Sequence, residues 1–294
     1  HQRLPRRCAR LISHSLKGIF MSEEHSFPSG SLMAGKRGLV MGVANKNSIA
    51  WGVAQQLAAQ GAELAFSYIP AMESRVRPLG DSIGVKLYVE ADVMSDDDME
   101  RAFAEIKTQW GQLDFLVHAI AFTDKEALKG SFVENTTRQN FKDTMDVSAF
   151  SFVDAARRAS GMMPAGGAMV TLTYLGSERV VPNYNVMGVA KAALEASMRY
   201  IARDLGPNGI RVNAISAGPM KTLAMAGITG GRQLMSTGRD WSLLKEDTTM
   251  EGVAGCALYL LSDLGKSCTG EVVHVDAGFH VVAVPSMEGP AKEN

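Results

Sequence analysis

The feature that most constrains the fold of this chain is a regular alternation, from Gly35 onward, of short apolar runs with longer stretches of helical character. Short apolar runs of this kind are typical of strands that are buried on both faces of a parallel sheet. Strands are predicted at 38–43, 62–67, 85–91, 113–118, 167–172, 210–215 and 271–275.

The stretches between these runs carry the end signals of helices. Ser48 stands in an N-cap position and Gly61 in a stop position, while acidic residues follow Ser95, where they suit the helix dipole. Helices are predicted at 48–60, 71–83, 95–110, 138–162, 183–205 and 250–261, whereas 219–245 lacks a clear period. The predicted fold class is α/β, a three-layer, doubly wound Rossmann-type parallel sheet of seven strands with helices on both faces.

One alternation and one composition run through residues 35–281, so we expect a single domain there, followed by a C-terminal tail at 282–294. Residues 1–34 are expected to form a flexible N-terminal extension, because they end in a stretch with Ser, Pro and Gly and little periodicity. Residues 1–22 carry Arg and Lys and no acid, a composition found in transit peptides. An upstream extension, an organelle presequence and a functional arm all remain open for this segment.

Composition excludes several classes of protein. With 46% hydrophobic and 21% charged residues, the chain is not disordered, collagen-like or a coiled coil. No stretch approaches the ~18 apolar residues of a membrane span, so no membrane association is expected. The net charge of −1 becomes more negative once the basic residues 1–22 are set aside, and we expect no nucleic-acid partner. The 3 scattered cysteines favour a reducing cytoplasm, and no cluster has metal-ligand spacing.

The turn after the first predicted strand suggests a nucleotide site. Gly42 permits a tight backbone turn there, and the helix that starts near Ser48 and Ile49 could receive a pyrophosphate at its N-terminus. The spacing departs from Gly-x-Gly-x-x-Gly, so an ordinary strand-to-helix turn is the alternative. Asp92 and Val93 follow the third strand, either to meet an adenine or to start a helix.

Two further observations concern the same cofactor. Small residues flank Ile120 after the fourth strand, which would let a cofactor lie close to the backbone. The second strand ends at residues 66–70, where no acid is available for a ribose hydroxyl and no Arg for a 2′-phosphate. The choice between NADH and NADPH is therefore left open by these residues.

A tyrosine and a lysine carry the strongest chemical signal. Tyr184 and Lys191 are seven residues apart, which places both on one face of a helix that follows the fifth strand. A Tyr hydroxyl can donate a hydrogen bond to an oxygen that gains negative charge, and a nearby Lys can hold ribose hydroxyls. The alternative is a buried Tyr and a surface Lys that share a face by chance.

These residues belong to a wider pattern. It comprises the segments 42–50, 113–122, 172–176, 182–188, 211–219 and 269–276, together with Thr222. Over residues 34–281 the chain resembles the bacterial enoyl-(acyl-carrier-protein) reductases, a divergent branch of the short-chain dehydrogenase/reductase superfamily. Ordinary members of the superfamily use Tyr-x-x-x-Lys, whereas this branch places six residues between Tyr and Lys and has a second Tyr ten residues upstream, here Tyr174.

The resemblance implies reduction of the trans-2 double bond of an enoyl thioester by NADH, with Tyr184 stabilising the enolate and Lys191 holding the nicotinamide ribose. It implies catalytic roles for Tyr184, Lys191 and Tyr174. Substrate contacts are implied for Thr123, Tyr174 and Met225. The implied cofactor contacts are Gly42, Ser48, Ile49, Asp92, Val93, Ile120, Lys191, Met220, Lys221, Thr222, Leu223 and Ala224.

The resemblance also implies a substrate carried by acyl carrier protein, a substrate lid at about 219–247, a homotetramer and a bacterial cytoplasmic location. The chain departs from the family at Ile69, often Gln there, and at Ala121, often Gly. His118 and His274 are expected to be core or interface residues. The rivals are a ketoacyl reductase, which the absence of Tyr-x-x-x-Lys opposes, and a cofactor-binding regulator without turnover.

Overall fold

The seven-stranded parallel sheet expected from the sequence is confirmed. A computed structural model describes residues 25–228 and 230–284. In this part of the chain one sheet has the order β3-β2-β1-β4-β5-β6-β7, with every neighbouring pair parallel. The strands are β1 Arg37–Met41, β2 Glu63–Tyr68, β3 Leu87–Glu90, β4 Phe115–His118, β5 Ala168–Thr173, β6 Arg211–Ala217 and β7 Val272–Val275.

Helices cover both faces of this sheet, because successive strand residues point to opposite sides and both sides are apolar. Val40 and Val117 belong to one buried cluster, and Leu39 and Leu116 to the other. The helices are α1 Ile49–Ala59, α2 Glu73–Ser82, α3 Asp96–Trp110, α4 Phe132–Asn135, α5 Arg138–Met145, α6 Ser151–Ser160, α7 Asn185–Leu205, α8 Leu223–Ala226, α9 Gly231–Trp241 and α10 Met250–Leu261. Helices α1 and α10 pack on one face, and α3, α6 and α7 on the other.

The strand order reverses between β1 and β4, which pair with Met41 opposite His118. The chain leaves β1 toward one side and β4 toward the other, and the crevice between them is where open α/β sheets bind ligands. Gly42 stands at this point with φ +103°, and a Cβ there would lie 2.2 Å from the carbonyl oxygen of Ala119. Glycine is therefore required at the entrance of the crevice, both because φ is positive and because a Cβ would collide with the backbone.

Two stretches differ from the predicted helices. The helix expected at 138–162 contains a π turn, Asp146–Phe150, between α5 and α6, and α6 ends at Ser160. The aperiodic stretch 219–245 contains α8 and α9. Helix α9 was not recognised because glycines interrupt its pattern. A Cβ on Gly231 would lie 2.5 Å from the carbonyl oxygen of Met225, so this glycine allows close packing of the two helices.

The described end of the predicted flexible extension packs against the domain. The carbonyl oxygen of Pro28 accepts hydrogen bonds from the side chains of Gln56 (3.1 Å) and Gln60 (2.8 Å) on and after α1. Met33 is fully buried in the core. The stretch from Pro28 to Ala34 therefore differs from the expected flexible segment, since apolar burial and hydrogen bonds hold it, while residues 1–24 and the tail residues 285–294 lie outside the described part. None of the described helices is long and apolar enough to cross a bilayer.

Candidate active site

A cavity of about 1260 Å³ opens at the carboxyl edge of the sheet, above the crevice between β1 and β4. Its wall includes most of the residues that the sequence analysis singled out. These are Gly42, Ser48, Ile49, Ile120, Thr123, Tyr174, Tyr184, Lys191, Met220, Thr222 and Met225. The four loops after β1, β4, β5 and β6 and the helices α1, α7 and α8 thus converge on one space of a size suited to a cofactor and a substrate together.

One end of the cavity is formed by the turn before α1. Ser48 occupies the N-cap position, but its hydroxyl does not cap the helix. It instead donates to the carbonyl oxygen of Asn45 at 2.7 Å and accepts from the N–H of Ala44 at 3.3 Å. The N–H of Trp51 donates to the carbonyl oxygen of Ser48 at 2.9 Å. The N–H groups of Ile49 and Ala50, which have no partner among the described residues, therefore remain open to a ligand anion.

Not every predicted cofactor residue reaches the wall. Asp92 lies at the same edge of the sheet, where its carboxylate accepts from the N–H of Met94 at 3.0 Å, and Val93 packs against the core below α3. Neither residue lines the cavity, and Lys221 is exposed outside it. Leu223 and Ala224 form the backbone of α8, and the predictions for their side chains lie outside the described residues.

The ring of Tyr184 lies in a space that two glycines leave open. A Cβ on Gly176 would be 2.3 Å from Cδ1 of Tyr184, and a Cβ on Gly188 would be 2.7 Å from the carbonyl oxygen of Gly176. Gly188 is the fourth residue after Tyr184, the position of Lys in Tyr-x-x-x-Lys. No side chain fits there without displacing the backbone of Gly176, so the lysine has to come from elsewhere on α7.

Tyr174 and Tyr184 contact each other at the cavity wall. Their ring centroids are 5.0 Å apart with planes at 70°, an edge-on arrangement that aromatic pairs favour. Burial raises the pKa of Tyr174 to about 12 and also raises the pKa of Tyr184, so both phenols stay protonated at neutral pH. The buried hydroxyl of Tyr174 has no hydrogen-bond partner among the described residues. Such an orphaned donor suits a ligand oxygen.

Lys191 is a buried cation at the floor of the cavity. Its ammonium group donates to the carbonyl oxygen of Leu172 at 2.7 Å. Burial lowers its pKa to about 8, and the carboxylate of Glu195 one turn along α7 acts in the opposite direction. Glu195 is itself buried and accepts hydrogen bonds from the hydroxyls of Thr173 (2.6 Å) and Ser177 (2.5 Å). Sequence reasoning missed Glu195, although its i+4 spacing from Lys191 is visible.

The region expected to be a lid closes one side of the cavity. Met225 and Ile228 on and after α8 share an apolar cluster with Tyr174, Tyr184 and Met187. Thr222 accepts a hydrogen bond from the N–H of Met225 at 3.2 Å, which caps α8. A flexible, adaptable side chain such as Met225 beside the two tyrosines suits an apolar chain.

The two histidines flagged in strands have no place in the cavity wall. His118 is fully buried and contacts the hydroxyls of Thr171 and Ser151. Its pKa is lowered to about 3, chiefly by burial, so it is a neutral core residue. His274 contacts Glu178 at 2.9 Å and stacks on His280. Among the described residues, no group of three or more His, Cys, Asp and Glu side chains could hold a metal ion.

The sheet order, the cavity at its switch point and the Tyr–Lys pair on its wall define a Rossmann-type oxidoreductase. A sequence profile of the enoyl-(acyl carrier protein) reductases matches residues 42–280. The chain is 54% identical over 258 residues to enoyl-(acyl-carrier-protein) reductase (NADH) 2 of Rhizobium meliloti, which covers 87% of this chain and 96% of that protein. The chain therefore belongs to the enoyl-(acyl carrier protein) reductase family.

Solved structures agree with this assignment. The enoyl-(acyl-carrier-protein) reductase of Anaplasma phagocytophilum, crystallised with NAD, superposes with a TM-score of 0.86 at 50% identity and covers 89% of this chain and 100% of its own. The Bacillus cereus enoyl-acyl carrier protein reductase, crystallised with NADP+ and an indole naphthyridinone, gives a TM-score of 0.84 at 46% identity, with 86% and 100% covered.

Proposed function

We propose that this chain is an NADH-dependent enoyl-(acyl-carrier-protein) reductase of fatty acid biosynthesis. The single observation that carries the proposal is the convergence of Tyr174, Tyr184 and Lys191 on the wall of one cavity that also includes the α1 N-terminus. The close relatives bear the same name, including the NADH specification.

The residues at the cavity fit a dinucleotide. The N-terminus of α1 offers N–H groups to a pyrophosphate, and Gly42 keeps the approach to it free of a side chain. Ile120 and its small neighbours Ala119 and Ala121 leave a shallow wall for a flat ring. Lys191, buried and cationic below a pH of about 8, is suited to hold ribose hydroxyls. Asp92 and Val93 remain predictions for the adenine end.

When bound, NADH supplies a hydride for C3 of the enoyl thioester. The thioester carbonyl oxygen then gains negative charge, and the protonated hydroxyl of Tyr184 donates a hydrogen bond to it, which stabilises the enolate. Since burial raises the pKa of Tyr184, this group serves as a donor without losing its proton in the resting enzyme. The orphaned hydroxyl of Tyr174 provides a second donor beside it. Met225 and Ile228 cover the acyl chain and exclude water.

The acyl carrier protein is the proposed carrier of the substrate, and Thr123 and Met225 are proposed substrate contacts. The reaction is tested by incubating the enzyme with crotonyl thioester and NADH in which both hydrogens at C4 of the nicotinamide are deuterium. We expect butyryl thioester with one deuterium at C3 and, at C2, a proton taken up from solvent as the enolate collapses. Turnover of acetoacetyl thioester instead would identify a ketoacyl reductase, and NADH binding without turnover of either thioester would identify a regulator.

A homotetramer is proposed as the working form. Helix α7 carries the exposed apolar side chains Val189 (39% exposed) and Tyr200 (69%), three turns apart on one face, and Phe150 beside α6 is 52% exposed. Apolar faces of this kind are suited to subunit contacts. Light scattering during gel filtration tests this proposal, since a mass near the 31.5 kDa of the single chain would contradict it. The cytoplasmic location stays a prediction.

A further inference from the structure

Three buried hydroxyls on one helical face hold the loop that forms the middle of the cavity wall. They belong to Thr144, Ser148 and Ser151, all fully buried. A π turn interrupts the α-helical period between them, yet all three side chains face the end of β4 and the segment that follows it. Each contacts a residue at the end of β4 or just beyond it. We call this set of three contacts the hydroxyl ladder.

Ser148 makes the central contact. Its hydroxyl accepts a hydrogen bond from the N–H of Phe122 at 3.0 Å and donates one to the carbonyl oxygen of the same residue at 3.0 Å. Phe122 follows β4, where pairing within the sheet has ended. The N–H and carbonyl oxygen of Phe122 therefore have no partner within the sheet. One side chain therefore satisfies both backbone groups of a residue that lines the cavity.

The other two contacts fix the ends of the loop. Ser151 donates to the carbonyl oxygen of Val147 at 2.6 Å, so its hydroxyl accepts from Nε2 of His118, 2.8 Å away. This bond holds the last residue of β4. Beyond Phe122, the hydroxyl of Thr123 lies 2.6 Å from that of Thr144. The wall segment Ala119–Ala121 is thus held from both sides.

A π turn lies within the helical segment that carries the three hydroxyls. It comprises Asp146–Phe150, with Ser148 at its centre, between α5 and α6. π turns occur frequently at functional sites, because they change which side chains a helix presents. The segment that the ladder holds contains only small residues around Ile120. Its backbone position therefore shapes this side of the cavity.

We propose that Ser148 is a positioning residue that, through both backbone groups of Phe122, fixes the Ala119–Ala121 wall of the cavity. The chemical consequence is a fixed surface for the nicotinamide end of the cofactor in the cavity that Tyr184 also lines. This inference rests on the proposed function for its ligand, but the contact itself is independent of any ligand.

The first test compares Ser148→Ala with Ser82→Ala. The second variant removes an exposed hydroxyl that, among the described residues, bonds only the carbonyl oxygen of Leu79. Hydrogen–deuterium exchange of the cofactor-free protein reports on the amides of 119–123. We expect faster exchange there in Ser148→Ala only. We also expect its dissociation constant for NADH to rise about tenfold, a change of ~1.4 kcal/mol. The KM for the enoyl thioester should change less.

A second pair of variants covers the case in which Ser148→Ala does not fold. Thr144→Val keeps the side-chain shape and loses the hydroxyl, whereas Thr144→Ser keeps the hydroxyl. We expect faster exchange of 119–123 and weaker NADH binding in the first variant, and values near the wild type in the second. Equal exchange rates and equal NADH affinities in the two variants would contradict the role of the hydroxyl ladder in holding this segment.

The outcomes separate this inference from the proposed function. Unchanged exchange in Ser148→Ala, or faster exchange with unaltered NADH affinity, would overturn the positioning role. A wild-type chain that binds NADH without oxidising it would contradict the proposed function, and the NADH dissociation constants of the variants would still decide the role of Ser148.

Discussion

The ring of Tyr184 lies directly against Gly176, where a Cβ would come within 2.3 Å of ring atom Cδ1. Gly176 belongs to the turn after β5, and Tyr184 immediately precedes α7. The position of the proposed hydrogen-bond donor therefore depends on a missing side chain eight residues earlier in the same β5–α7 connection. Motif spacing along one helix does not show such a dependence.

Gly176→Ala tests this dependence. The added methyl must displace the Tyr184 ring or the turn, so we expect kcat for enoyl thioester reduction to fall by about tenfold or more, since misplacement of a reacting group by about 1 Å can cost 10²-fold. Gly255→Ala on α10 is the matched control, because a Cβ there would have no atom of the described residues within 4 Å. Wild-type kcat in Gly176→Ala would show that the protein accommodates the added methyl group without displacing the Tyr184 ring from its working position.

Tyr184→Phe removes the hydroxyl while keeping the ring in its place. We expect kcat to fall by about 10²–10³-fold, as for the loss of one oxyanion-hole donor, with little change in NADH affinity. Steady-state kinetics and NADH titration measure both quantities. Tyr259→Phe, at a tyrosine that is 44% exposed, is the control. Turnover that survives Tyr184→Phe would assign the donor role to Tyr174.

The pH dependence of kcat/KM reports on Lys191 in the free enzyme. The pKa of Lys191 is lowered to about 8, so its positive charge is present below that pH and is lost as the pH rises through it. We expect kcat/KM to decline above a pH of about 8. The raised pKa of Tyr184 places its own deprotonation at higher pH. A profile that stays flat to pH 10 would contradict this account.

Glu195→Gln tests the cause of that profile. The Glu195 carboxylate raises the pKa of Lys191 against the effect of burial, so a neutral amide should move the decline to lower pH. Glu105→Gln, at an exposed position on α3, should leave the profile unchanged. A shift to higher pH in Glu195→Gln would reverse the assigned sign and refute the role of this carboxylate.

Asn185 combines backbone strain with a loop contact next to Tyr184. Its φ is +41°, and its side-chain amide donates to the carbonyl oxygens of Ala127 (3.2 Å) and Gly130 (3.3 Å). Asn185→Gly loses the two hydrogen bonds, but glycine adopts a positive φ without strain. Asn185→Ala loses the hydrogen bonds and also strains the backbone at this φ. We expect the free energy of unfolding of Asn185→Ala, measured in urea, to be about 1 kcal/mol lower than that of Asn185→Gly. Equal stabilities would show that the backbone here carries no strain.

The sheet was predictable because parallel strands buried on both faces need continuous apolar runs, as at Val40 and Leu116. The Tyr184–Lys191 pair was predictable because helical spacing brings residues on one face together. The π turn at Asp146–Phe150 was not, since no residue type demands it and it depends on contacts such as Ser148 with Phe122. Helix α9 was missed because glycines needed for tertiary packing look like loop residues.

The most direct test of the central claim is the loss of absorbance at 340 nm when the protein is mixed with NADH and crotonyl thioester, with NADPH run in parallel. We predict oxidation of NADH that requires the enoyl thioester and is nearly abolished in Tyr184→Phe. NADH that stays reduced in the presence of both the wild-type protein and the thioester would contradict the account.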